Sequence, residues 1–173
     1  MATTTRVPLE IYLRSSYEPD AEYVDGEIEE RPAAEYDHSS WQHAIELWFA
    51  QHAKEWKIRV RPELRVQVAS ERFRVPDVTV LDRNQPIEQI ITHAPVAVFE
   101  ILSPEDTHVR LMRKLEDYAA MGIPQIWVVD PRADIKSGSF RRYVNDQLVR
   151  SSEFDESSKG IHFSLHELEA LLD

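Results

Sequence analysis

The sequence contains no cysteine. That absence excludes disulfides and thiolate metal sites. Any metal would be held by carboxylates, carbonyls or histidine, a donor set suited to a hard ion such as magnesium or manganese. Glycine is scarce, at four residues in 173, and no repeat, linker or low-complexity stretch interrupts the chain. No apolar run approaches the roughly 18 residues that would span a bilayer, so no membrane partner is expected. The N-terminal "MATTTRVPLEIYL" has neither a basic start nor an apolar stretch long enough for a signal peptide, which makes the cytoplasm the expected location. Positive charge is also short: 20 Lys and Arg stand against 31 Asp and Glu, a formal net charge of −11. Affinity for phosphate backbones comes mostly from basic side chains, so this balance sits awkwardly with nucleic-acid binding. The basic residues are nonetheless clustered. "KIRVRPELRV" and "ERFRV" hold six of them between Lys57 and Arg74, and "SFRRYV" adds Arg141 and Arg142. Such runs serve either a local basic face or solvated strand edges kept soluble by arginine.

What is present reads as one mixed α/β domain. Hydrophobic residues make up 42% and charged residues 29%, the balance of a globular protein. "AEYVDGEIEERP" carries Asp25-Gly26 between short extended stretches, a tight-hairpin signal. A helix capped by Ser39 or Ser40 is expected through "WQHAIELWFAQHAKEW", with Trp41, Ile45, Trp48, Phe49 and Trp56 as a core stripe. "LRVQV" and "RFRVPDVTVL" read as strands, the second with Pro76 near its entry. "PVAVFEILSP" is a buried strand, a helix follows from about Asp106 to Met121, and "QIWVVDP" is another apolar strand. That order predicts a parallel crossover unit. A hairpin turning at Asn145-Asp146 and a final helix from Ser164, with Glu167 completing a capping box, close the chain.

The chemistry-bearing residue of the buried strand is Glu100. An unpaired carboxylate among apolar neighbours would cost several kcal/mol or stay protonated, so it needs a partner. It also lies near the carboxyl end of its strand, where ligand sites of α/β sheets gather. Asp77, directly after Pro76, is a second acid at a strand entry. Each has an ordinary explanation alone, Asp77 as a turn residue and Glu100 as an arginine partner. Two carboxylates on neighbouring strands, however, repel unless a cation lies between them. His38 precedes the first long helix and either contacts substrate or approaches its cap. His43 and His52 read as boundary residues, no zinc-spaced histidine pair stands out, and Ser103 lacks a nucleophile-elbow context.

"PD" at 76–77 followed by "EIL" at 100–102 resembles the PD-(D/E)XK nuclease signature, and the chain is most similar to its Uma-two branch of "putative restriction endonucleases". The residues carrying the resemblance are "DGE" at 25–27, "VPDV" at 75–78, "EILSP" at 100–104, "KLEDYAAMGIP" at 114–124 and "IWVVDP" at 126–131. Each motif is weak alone, and their shared order is specific. It covers about residues 20 to 170. The resemblance implies a restriction-endonuclease-like fold, a central mixed β-sheet flanked by α-helices, that cuts DNA phosphodiesters with magnesium or manganese. It implies Asp77, Glu100 and the Ile101 carbonyl as metal ligands, and Glu27 as an additional acid holding a metal-bound water or a second ion. The signature lysine belongs two residues after the glutamate, where this chain has Leu102. The family pattern points instead to Lys114, on the flank of the stripe formed by Leu111, Leu115 and Tyr118. Its methylenes can lie on the core while the ammonium reaches the site. With no separate DNA-reading domain, specificity would come from a partner or a homodimer. Two other functions stay open: a non-catalytic nuclease-fold binding module, and a metal-dependent hydrolase of small phosphates.

Overall fold

The computed structural model describes residues 6–18, 20–133 and 139–172. A short helix α1 (Leu9–Arg14) leads into β1 (Ala21–Val24) and β2 (Glu27–Glu30), and the long helix α2 (Tyr36–Gln51) follows. Next come β3 (Ile58–Pro62), β4 (Val66–Ala69), β5 (Arg72–Arg74), β6 (Val78–Asp82) and β7 (Ala97–Ile101). Helix α3 (His108–Met121) crosses over to β8 (Gln125–Val129), followed by β9 (Phe140–Val144), β10 (Gln147–Arg150), β11 (Glu153–Glu156) and β12 (Ile161–Ser164). A six-stranded sheet in the order β10-β9-β8-β7-β6-β3 forms the centre; a smaller sheet, β2-β1-β5-β4, packs beside it. The β7–β8 pair is parallel and the other pairs of the central sheet are antiparallel, so the sheet is mixed, as expected from the crossover. No helix among the described residues is long and apolar enough to cross a membrane.

Strand alternation divides the core in two. Phe99 and Trp127 face α2, where Trp41, Ile45 and Phe49 pack with Phe154 and Phe163 of the β11–β12 hairpin. Val98, Ile126 and Val128 face α3, against Leu115 and Tyr118. Helix α3 is bounded as its sequence dictates: the Thr107 side chain accepts the Arg110 N–H at 3.3 Å, and Gly122 ends it at φ +91°. Positive φ at Asp25 and Gly26, and again at Asn145 and Asp146, gives both predicted hairpins their tight turns.

Three expectations are corrected. Helix α2 starts at Tyr36, ahead of the expected serine cap, and stops at Gln51. Trp56 therefore lies beyond it, held by stacking on His52 and Phe163. The stretch "RFRVPDVTVL" is two strands in different sheets, β5 and β6. Pro76 has no N–H for a ladder, and the chain crosses between sheets there. The last helix is a 3-10 helix over Leu165–Leu171, with the Ser164 hydroxyl accepting from the His166 N–H and not completing a box with Glu167. The arginine runs also resolve: Arg72 and Arg74 are engaged in ion pairs with acids of this chain, so they add no free basic face.

Candidate active site

The sheet crossover at Pro76 delivers Asp77 one residue before β6. Val78 pairs with Phe99 and Thr79 with Val98, so one further step of the same antiparallel ladder sets Asp77 opposite Glu100. Glu100 shares its sheet face with Val98, toward α3. Both acids are buried, at 3% and 5% exposure.

Asp77 meets three donors. Its Oδ1 takes the Arg31 guanidinium and lies 3.3 Å from His38 Nε2, while Oδ2 accepts the Ile101 N–H at 2.7 Å. Burial pushes its carboxyl up, but the His38 hydrogen bond, the Arg31 charge and the Ile101 amide outweigh that and hold it below the usual range. Gln42 donates to its main-chain carbonyl at 3.0 Å, tying α2 to the same corner.

Glu100 answers differently. The Tyr118 hydroxyl donates to Oε1 at 2.5 Å, and the Lys114 ammonium stands 3.8 Å from Oε2. Burial lifts its carboxyl to about 7; Lys114 pulls it down, and the charges of Asp77 and Glu22 push it up again. Lys114 is itself 9% exposed, and its ammonium also lies 3.6 Å from Glu22 Oε1. Burial disfavours that charge, yet Glu100, Glu22 and Asp77 together hold it above its ordinary value. Helix α3 thus brings Lys114 to the glutamate from the flank of the Leu115–Tyr118 stripe.

Glu22, Arg31 and His38 complete the cluster. Glu22 is fully buried on β1, accepting the Val75 N–H at 3.0 Å and pairing with Arg74 at 3.1 Å. Arg74 is 1% exposed and holds Glu22, Glu29 and Asp117 at once. A signal for Glu22 was present, since like Glu100 it is a lone acid between apolar residues of a short strand, Ala21 and Tyr23-Val24. Arg31 carried no such signal, because the end of a polar hairpin strand looks solvent-facing. Glu27 is not brought into the cluster. The hairpin register opposes it to Val24 at the turn, where it is exposed. Among the described residues it makes no hydrogen bond or ion pair with Asp77, Glu100 or Lys114.

In kind, the carboxylates of Asp77 and Glu100 and the backbone carbonyl of Ile101 suit a hard divalent ion. Among the described residues no three His, Asp or Glu side chains are grouped to hold one, and Asp77 Oδ1 is held by Arg31 and His38. The donor set suits an ion in kind, while these two side chains hold that oxygen in this structure. Arg31, Glu100, Ile101, Arg110 and Lys114 line a cleft that adjoins an open groove bordered by Pro32, Arg110 and Arg113.

Residues 9–161 match the Uma2 family, described as "Putative restriction endonuclease". The chain is also similar to the crystal structure of a "putative nuclease belonging to DUF820" from Anabaena variabilis, with 23% identity and a TM-score of 0.77. The match covers 96% of this chain and 99% of that one. That likeness shows a common fold, of the restriction-endonuclease-like type. No curated protein matches the chain.

Proposed function

The chain belongs to the Uma2 family, and we propose that it is a magnesium- or manganese-dependent endonuclease that hydrolyses DNA phosphodiester bonds. The observation carrying this reading is that Glu100 and Lys114 share one cleft, with Asp77 buried beside Glu100 on the neighbouring strand and Arg110 and Arg113 on the walls of the adjoining groove. Asp77, Glu100 and the Ile101 carbonyl would hold the ion. When bound, it supplies Lewis acidity toward the phosphate and acidifies an attacking water.

The chain's own residues do the rest. Tyr118 fixes the Glu100 carboxylate through its hydroxyl, and the Ile101 N–H fixes that of Asp77. Lys114, kept charged between two glutamates, aims a buried ammonium at the place where phosphoryl charge grows. Arg110 and Arg113 would meet neighbouring phosphates, a small number of contacts in a groove that Glu29, Glu30, Glu105 and Asp106 also line, with Arg110 3.6 Å from Glu29. A homodimer would double that footprint and supply the missing specificity. Trp41 and Trp56 of the α2 region are buried in this fold and are not its surface.

A nicking assay on supercoiled plasmid in magnesium and in manganese tests the reading. Lys114→Met should slow cleavage by about two orders of magnitude or more, with a melting curve to score the loss of the buried cation between Glu22 and Glu100 separately. Asp77→Asn should make activity depend more steeply on metal. Equal rates for wild type and Lys114→Met would remove the lysine from the mechanism. A wild type inert with both metals favours the non-catalytic binding module, a reading the occupied Asp77 carboxylate would suit.

A further inference from the structure

Arg31 directly follows β2 and turns inward, its side chain only 10% exposed. One guanidinium nitrogen donates to Asp77 Oδ1 and the other lies 3.5 Å from Glu63 Oε1. With His38 on the same Asp77 oxygen and the Ile101 N–H on the other, that carboxylate has a donor on each oxygen. Glu100 does not. Tyr118 takes Oε1, but Lys114 stops 3.8 Å short of Oε2, outside hydrogen-bond range. The site is therefore asymmetric: one acid is already neutralised by a cation of the chain and the other is only approached by one.

We propose that Arg31 is a resident cation on Asp77, so that the Arg31–Asp77 pair and a divalent ion on Asp77 exclude each other, and that Arg31 moves into the adjoining groove when the ion enters. This deepens the nuclease reading and rests on its assignment of the metal ligands. One carboxylate oxygen cannot give the same lone pairs to a guanidinium and to an ion, and two positive charges a few ångströms apart in a buried site repel strongly. Arg31 has a destination, because it borders both the cleft holding Glu100 and Lys114 and the open groove lined by Glu29, Glu30, Glu105, Asp106, Arg110 and Arg113. There its planar fork can pair with a phosphate of the substrate backbone. Metal binding without DNA is then weakened by the fraction of molecules in which Arg31 has left Asp77.

The test is manganese affinity of the full chain without DNA, by calorimetry and by electron paramagnetic resonance of the free ion. Arg31→Met should bind manganese about tenfold tighter than wild type or better, as removal of such a competing state allows. Arg31→Lys, which keeps a cation, should stay close to wild type. Adding Asp77→Asn to Arg31→Met should erase the gain. If Arg31→Met does not fold without metal, Arg31→Gln should gain in the same direction, since it removes the competing charge while its amide supports the fold. Equal or weaker affinity in the uncharged variants, a gain that survives Asp77→Asn, or no manganese bound by any variant overturns the proposal. Plasmid nicking scores the nuclease reading separately. Tighter manganese with no cleavage upholds Arg31 and removes the nuclease; cleavage by wild type with unchanged affinity in Arg31→Met does the reverse.

Discussion

Replacing Glu100 by glutamine should change how stability depends on pH, in a direction set by burial. The folded chain holds the Glu100 proton up to about 7, while an ordinary glutamate releases it near 4.5. Between those values the folded state carries a proton that the unfolded state has lost. Stability from this group therefore falls as pH rises through that window, and is flat on either side. Moving from 4.5 to about 7 corresponds to about 3 kcal/mol, an order-of-magnitude ceiling. Glu100→Gln has no proton to lose and keeps an oxygen to accept from Tyr118. Wild type and variant should thus be about equally stable near pH 4.5, and the variant more stable by up to about 3 kcal/mol near pH 8. Urea unfolding of both proteins in chelator across that range measures the difference for Glu100 together with the neighbours its charge acts on, Lys114 first among them. Excess magnesium near pH 8 should then raise wild type and leave the variant where it is. A difference that stays constant with pH, or that grows toward acid, would refute the reasoning that burial dominates at Glu100.

Arg74→Met would leave Glu22 and Asp117 buried without their shared guanidinium; a loss of about 3–5 kcal/mol in urea melts is expected, and a loss under about 1 kcal/mol would show that the acids relax to solvent. Gly122→Ala places a side chain at φ +91° with nothing within 4 Å to clash, so only backbone strain acts, and a cost of about 1 kcal/mol should appear in thermal melts. Glu27→Ala, at an exposed hairpin position, should change stability by no more than about 0.5 kcal/mol and leave any plasmid nicking at the wild-type rate; a large drop in cleavage would return Glu27 to the site.

Local patterns determined much of this protein. The apolar runs of β7 and β8, with a capped helix and Gly122 between them, dictate a parallel crossover, because no short turn can join parallel strands. Period-two alternation was enough to put Val98 and Glu100 on one face, and helical spacing was enough to place Lys114 on the edge of α3's buried stripe. The two tight turns were legible because Asp25-Gly26 and Asn145-Asp146 suit the positive φ that such hairpins need. Only the tertiary structure decided what those groups meet. The break at Pro76 separates β5 from β6 across two sheets, which no local pattern distinguishes from one long strand interrupted by a proline. Register across long separations then chose the partners: Glu22 and not Glu27 comes within 3.6 Å of Lys114, and Arg31 reaches Asp77 46 residues away in sequence. Side-chain chemistry names what a carboxylate requires. Which distant cation satisfies it depends on how two sheets and a helix pack, and that is a property of the whole chain.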